Sequence, residues 1–116
     1  MKRLIFSVVV LAVLCTSALV WAGTKDFSGK VSGYSVSIWS GKEIFLFKLD
    51  SSVSEGCNTT GRYAINSDSM QYKSIQAAIM SAYHGSSDVL VRANDVCTII
   101  GNSYDVYGVR IGNMPF

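Results

Sequence analysis

The sequence is poor in the residues that do chemistry. It has one histidine, His84, and one proline, Pro115, in 116 residues. Charged residues make up 16% of it, and no stretch runs in one sign. A lone histidine supplies neither a metal-ligand set nor a catalytic constellation, since both need several polar side chains converging. No serine stands at a nucleophile elbow. Gly29-x-x-x-Gly33 opens no helix and lacks the longer phosphate-binding pattern. The expectation is a protein that is not an enzyme and uses no metal or cofactor. Asn58-Thr59-Thr60 matches a glycosylation sequon, which matters only in a eukaryotic host.

Long apolar runs are also scarce. The longest, Leu4 to Leu14, is eleven residues. A spanning helix needs about 20. Lys2 and Arg3 precede the run, and Val20 and Ala22 are small residues before a cleavage point. This is the layout of a secretory signal peptide over residues 1–22. Removal leaves one domain, residues 23–116, with no membrane anchor. Leu14 is too large for the residue before a lipidated cysteine, which argues against lipidation at Cys15.

Export changes the accounting of charge and sulfur. The full chain has ten Lys and Arg against eight Asp and Glu. Lys2 and Arg3 leave with the leader, so ten minus two gives eight of each sign. Nucleic-acid affinity rests on a basic excess, and none remains. Cys57 and Cys97 are the two cysteines left. An exported chain pairs them. The bridge closes a loop of about 40 residues and contributes roughly 4 kcal/mol on the chain-entropy model.

The pattern after residue 22 is β-rich, with a single helix. Tyr72, Ile75, Ile79 and Ala82 recur at helical spacing. Ser67, Asp68 and Ser69 offer N-terminal caps, and Gly85 offers the stop. The helix is expected over Asp68–Gly85. Ile75 and Ile79 should face the core and meet Phe45, Phe47 and Val91. Lys30–Trp39 alternates around Tyr34, Val36 and Ile38, with a β-bulge expected at Gly33. Ser40-Gly41 reads as a hairpin turn. Glu43–Leu49 has no polar face and reads as a central strand. Arg62–Asn66, Asp88–Asn94 and Tyr104–Ile111 are three more strands. In the last, Asp105, Tyr107, Val109 and Ile111 are expected to oppose Tyr104, Val106, Gly108 and Arg110. Cys97–Ile100 is a short extended piece. Three strands, a helix and two strands is the order of an OB-fold-like Greek-key barrel.

Aromatic residues are the positive signal: six Tyr, five Phe and two Trp. Aromatic faces pack on sugar rings while Ser, Asn and Asp orient hydroxyls. Asp26, Phe27, Ser28 and Lys30 bring such groups together at the mouth of the first strand.

Phe27-Ser28-Gly29-Lys30-Val31, followed by a strand and the turn Ser40-Gly41-Lys42, resembles the start of the subtilase cytotoxin B subunit. That family of pertussis-like toxin B subunits forms cell-binding rings in toxins with one A and five B subunits. The resemblance continues in Ser54-Glu55-Gly56-Cys57, in Ala82-Tyr83-His84-Gly85 and in Asp88-Val89-Leu90-Val91-Arg92. It implies the same five-stranded barrel, a homopentamer, an enzymatic A-subunit partner and a sialic-acid-type host glycan. It places a sugar contact on Ser28, whose position matches the family's sugar-contacting serine. The chain departs from the family in strand two, where Leu46 and Phe47 stand in place of a cysteine. The family's C-terminal cysteine pair and Trp-Thr-Tyr-Pro segment are missing. The competing expectation is a free-standing periplasmic or secreted barrel with a protein-interaction or envelope role and no glycan.

Overall fold

The computed structural model describes residues 23–112 and 114. The expected leader, residues 1–22, lies outside the described residues. The elements are β1 (Thr24–Trp39), β2 (Lys42–Leu49), β3 (Arg62–Asn66), α1 (Tyr72–Gly85), β4 (Asp88–Asn94) and β5 (Tyr104–Ile111). The strands close in the order β1-β2-β3-β5-β4, an OB-fold-like ring with one helix. The sequence pattern reads this architecture correctly.

β1 starts at Thr24, well before the expected Lys30. Its first part, Thr24–Lys30, pairs with β4, and its second, Val31–Trp39, pairs with β2. The early part hides from periodicity because Lys25, Asp26 and Ser28 break the apolar alternation. Backbone pairing with β4 needs no such alternation. Between the two parts the register shifts at Val31/Gly33, the bulge that the glycine suggested. The β1–β2 turn carries positive φ at Ser40 (53°) and Gly41 (75°), the type I′ pattern that suits a twisted hairpin.

β2 is buried on both faces, as expected of a central strand. Phe45 and Phe47 face the main core with Tyr63, Ile65, Ile75, Ile79, Val89 and Val91. Ile44 and Leu46 face the other way. With Ala64 they form a second cluster, roofed by Ile99 and Ile100. Residues 97–100 are irregular chain and not a strand. The Asp105 carboxylate holds them, accepting from the amides of Thr98 (3.0 Å) and Ile99 (3.2 Å) and from the Thr98 hydroxyl. The Cys57–Cys97 disulfide ties this segment to the loop after β2, with Cα atoms 6.1 Å apart.

Three local expectations are corrected. The helix begins at Tyr72, not Asp68. The Ser67–Ser69 oxygens serve a preceding turn: the Ser69 hydroxyl oxygen accepts from the Gln71 amide and its carbonyl from the Tyr72 amide. At the other end Ser86, not Gly85, takes the left-handed conformation (φ 53°). The amides of Ser86 and Ser87 bond to the carbonyls of Tyr83 and Ala82, which is a Schellman closure with serine at its C′ position. In β5 the alternation slips. Arg92 pairs with Gly108 and Ala93 with Val106, so Tyr107 is an extra residue. Val106 and Val109 therefore both reach the core, while Tyr107 is exposed.

Two stability measurements test this packing. Ile79 is 0% exposed and seated in the main cluster, so Ile79→Ala should cost about 2–5 kcal/mol in urea unfolding. A loss under about 0.5 kcal/mol would place the wrong helix face inward. Ser86→Gly should add roughly 0.5–1 kcal/mol, because glycine occupies the left-handed region without Cβ strain. A destabilised Ser86→Gly would mean that the helix closes some other way.

Candidate functional site

The period of two along β1 decides which candidate side chains share a face. Asp26, Ser28 and Lys30 point outward from the ring. Phe27 points to the opposite side. Its ring lies 5.4 Å from that of Tyr63 and 5.9 Å from that of Tyr104, at the rim of the core. The structure thus brings Asp26, Ser28 and Lys30 into one row and sets Phe27 apart from them. On the outer face Ser28 has Leu90 as its cross-strand partner.

The loop after β2 braces this row. The Asp50 carboxylate accepts from the Lys30 amide at 3.0 Å, and the Ser51 hydroxyl donates to the Ser28 carbonyl at 2.5 Å. Gly29 allows that approach: a Cβ there would stand 2.6 Å from Asp50 Oδ1 and 2.7 Å from Ser51 Oγ. Ser28 itself is exposed. Among the described residues, nothing hydrogen-bonds its hydroxyl.

Charges flank that hydroxyl on both sides. Arg92 donates to Asp26 through Nε (2.9 Å) and Nη2 (3.1 Å), a two-point pair. The hydrogen bond from Arg92 holds the Asp26 carboxyl below its usual range, with the Arg92 and Arg110 charges helping. The same bond raises Arg92. A carboxyl lowered in the folded state stabilises the fold at neutral pH. The contribution is lost only as pH falls through that lowered value. On the other side Lys30 binds Asp88 at 2.7 Å, with both side chains largely in solvent. An exposed pair of that kind is readily exchanged for another partner.

Arg92 also borders a groove of about 520 Å³ between α1 and β5. Gln71, Ser74 and Ala78 form one wall, and Tyr107 and Gly108 the other. The β5 irregularity puts Tyr107 there. Sequence reasoning missed Gln71, Ser74 and Tyr107 as site residues. Arg92 appeared only within a quoted motif, and its outward direction on β4 was the one available signal. A guanidinium, a tyrosine face, an amide and a serine hydroxyl are groups for recognising a polar, ring-shaped ligand.

Two other sequence signals resolve differently. Asn58 of the sequon is 1% exposed, so the folded chain does not present it as a glycosylation acceptor. His84 ends α1 with Nε2 3.2 Å from the Tyr34 hydroxyl. Its ring meets those of Tyr34 and Tyr83 edge-on.

Among the described residues no helix is long and apolar enough to cross a membrane, and the chain carries its disulfide. Compared with family models, curated proteins and solved structures, the chain finds no match.

Proposed function

We propose that this protein is an exported glycan-binding module that takes an acidic, sialic-acid-type sugar, in the manner of the cell-binding B subunits it resembles. The observation that carries the reading is the free Ser28 hydroxyl on an exposed sheet face. It stands one row from Arg92, and Arg92 leads into the groove walled by Tyr107. An acidic sugar needs a cationic donor for its carboxylate, hydroxyls for its own hydroxyls and an apolar ring for its carbon face. Arg92 or Lys30, Ser28 and Ser74, and Tyr107 are those groups. Phe27 acts behind the sheet, keeping the start of β1 seated on Tyr63 and Tyr104. A ring of five copies with an A subunit multiplies a weak single-site affinity by raising the effective concentration of the next site.

A second reading has its own support. Only the first part of β1 pairs with β4, so the strand from Ser32 to Trp39 has one edge without a strand partner among the described residues. Val36, Ile38 and Trp39 are exposed along it. Edges of that kind accept strands from other chains. This favours a protein-interaction role in the periplasm or outside the cell, with no glycan.

Binding of wild type and Ser28→Ala to a sialylated glycan array separates the two. A sugar group left without its hydrogen-bond partner costs about 1–3 kcal/mol. Ser28→Ala should therefore bind roughly 5- to 150-fold more weakly, with an unchanged melting temperature because the side chain is exposed and unbonded. A wild-type protein that retains no glycan rejects the first reading in favour of the second.

A further inference from the structure

We infer that the outer face of β1, β2 and β3 carries a separate site for a sulfate or phosphate ester, held between Lys48 and Arg62. The starting observation is the pattern of charge across the strands. Asp26 faces Arg92 and Lys30 faces Asp88, and each of these cross-strand couples is a salt bridge. Lys48 faces Arg62. This couple has like signs, and like charges directly opposite one another destabilise a sheet. Neither side chain has a carboxylate partner among the described residues. Lys25, Lys30, Lys42 and Arg92 all do.

Arg62 is fixed as a ligand-binding guanidinium is fixed. Its Nε donates to Thr60 Oγ1 at 3.1 Å and its Nη2 to Asn102 Oδ1 at 2.9 Å. The Thr60 hydroxyl in turn donates to the Asn102 carbonyl at 2.8 Å. Two neutral acceptors thus orient the fork without neutralising it, and its remaining N–H groups stay unused. An immobilised guanidinium loses little entropy when it takes an oxyanion. Lys48 is exposed and its ammonium group makes no hydrogen bond among the described residues. Between them and β1 lies a shallow depression of about 160 Å³, bordered by Gly33 and Ser35. A Cβ on Gly33 would meet nothing within 4 Å, so the bulge leaves bare backbone and open space beside the two cations.

Two cations bordering a small open depression suit a compact oxyanion with three terminal oxygens, a sulfate or phosphate ester, better than a planar carboxylate. The Ser35 hydroxyl adds a neutral donor at its edge. The site lies on the part of β1 that pairs with β2, whereas Ser28 lies on the part that pairs with β4. It therefore stands or falls independently of the sialic-acid reading.

The test is an NMR titration of the mature domain with inorganic phosphate, inorganic sulfate and a sulfated disaccharide, at constant ionic strength. Saturable shifts are expected at the amides of Gly33, Ser35, Lys48 and Arg62. A stronger response to sulfate and the disaccharide identifies a sulfated sugar as the source; a stronger response to phosphate identifies a phosphate ester. Lys48→Gln should weaken binding about tenfold or more, equal to loss of one charge-assisted contact. The same variant should melt no lower than wild type, because it removes a like-charge couple. Shifts that never saturate, or that persist unchanged in Lys48→Gln and Arg62→Gln, overturn the proposal. So does a Lys48→Gln protein that is clearly less stable, since the couple would then be structural.

Discussion

The bulge at Val31–Gly33 in β1 is the constraint on which the rest depends. A ring of five strands needs one strand to serve two neighbours in succession. β1 does this by pairing with β4 through Thr24–Lys30 and with β2 through Val31–Trp39. An unbroken strand of that length twists but does not turn far enough, and an extra residue supplies the additional bend. Once β1 has turned, its inner residues Phe27, Val31 and Tyr34 line the same core from different sides. The loop after β2 is drawn over Gly29 by the same geometry, and this braces the backbone under Ser28. The helix then closes the end of the ring with Ile75 and Ile79.

The second structural problem lies on the outside of β2. Ile44 and Leu46 cannot reach the main core, because Phe45 and Phe47 already take the inner face. They need a roof, and the chain after β4 supplies Ile99 and Ile100. Irregular chain makes a poor roof, since its amides lack partners once they approach an apolar surface. Asp105 answers this by accepting the amides of Thr98 and Ile99 from a side chain that is itself 9% exposed. The disulfide fixes one end of the roof, and the contacts among Thr60, Asn102 and Arg62 fix the other. Roof and cation site are therefore coupled: the contacts that hold the chain end of the roof also aim the Arg62 guanidinium.

Legibility in the sequence followed the same physics. Wherever burial imposed a period, the elements could be read: Tyr72, Ile75, Ile79 and Ala82 on the helix, and Val89, Val91 and Ala93 on β4. The lack of a polar face on β2 announced two buried sides, though not what would cover the second. The first residues of β1 were illegible because their pairing is made by backbone and ion pairs. The capping serines misled because Ser67–Ser69 can close a turn as readily as a helix. Tyr107 was not read as a groove residue because strict alternation was carried through the slip beside Gly108; that alternation set Tyr107 opposite Val106 correctly but put Val109 on the wrong face.

Charge gives a last distinction that the net value conceals. The expected mature domain sums to zero, yet its charges are not distributed at random over the sheet. On the β1–β4 face, opposite signs meet across the strands and neutralise locally, leaving a hydroxyl at their centre. On the β2–β3 face, two cations stand opposite each other with no carboxylate partner among the described residues. A local pair fixes direction: Asp26 holds the Arg92 guanidinium by two points on the outer face, at the border of the groove beside Tyr107. An uncompensated couple instead creates a field, which falls off over about 8–10 Å in physiological salt. The first arrangement suits selection among neutral and singly charged hydroxylated ligands by geometry. The second suits attraction of a concentrated negative charge. The two arrangements lie on different strand pairs, β1–β4 and β2–β3, and the bulge in β1 marks where its pairing passes from β4 to β2.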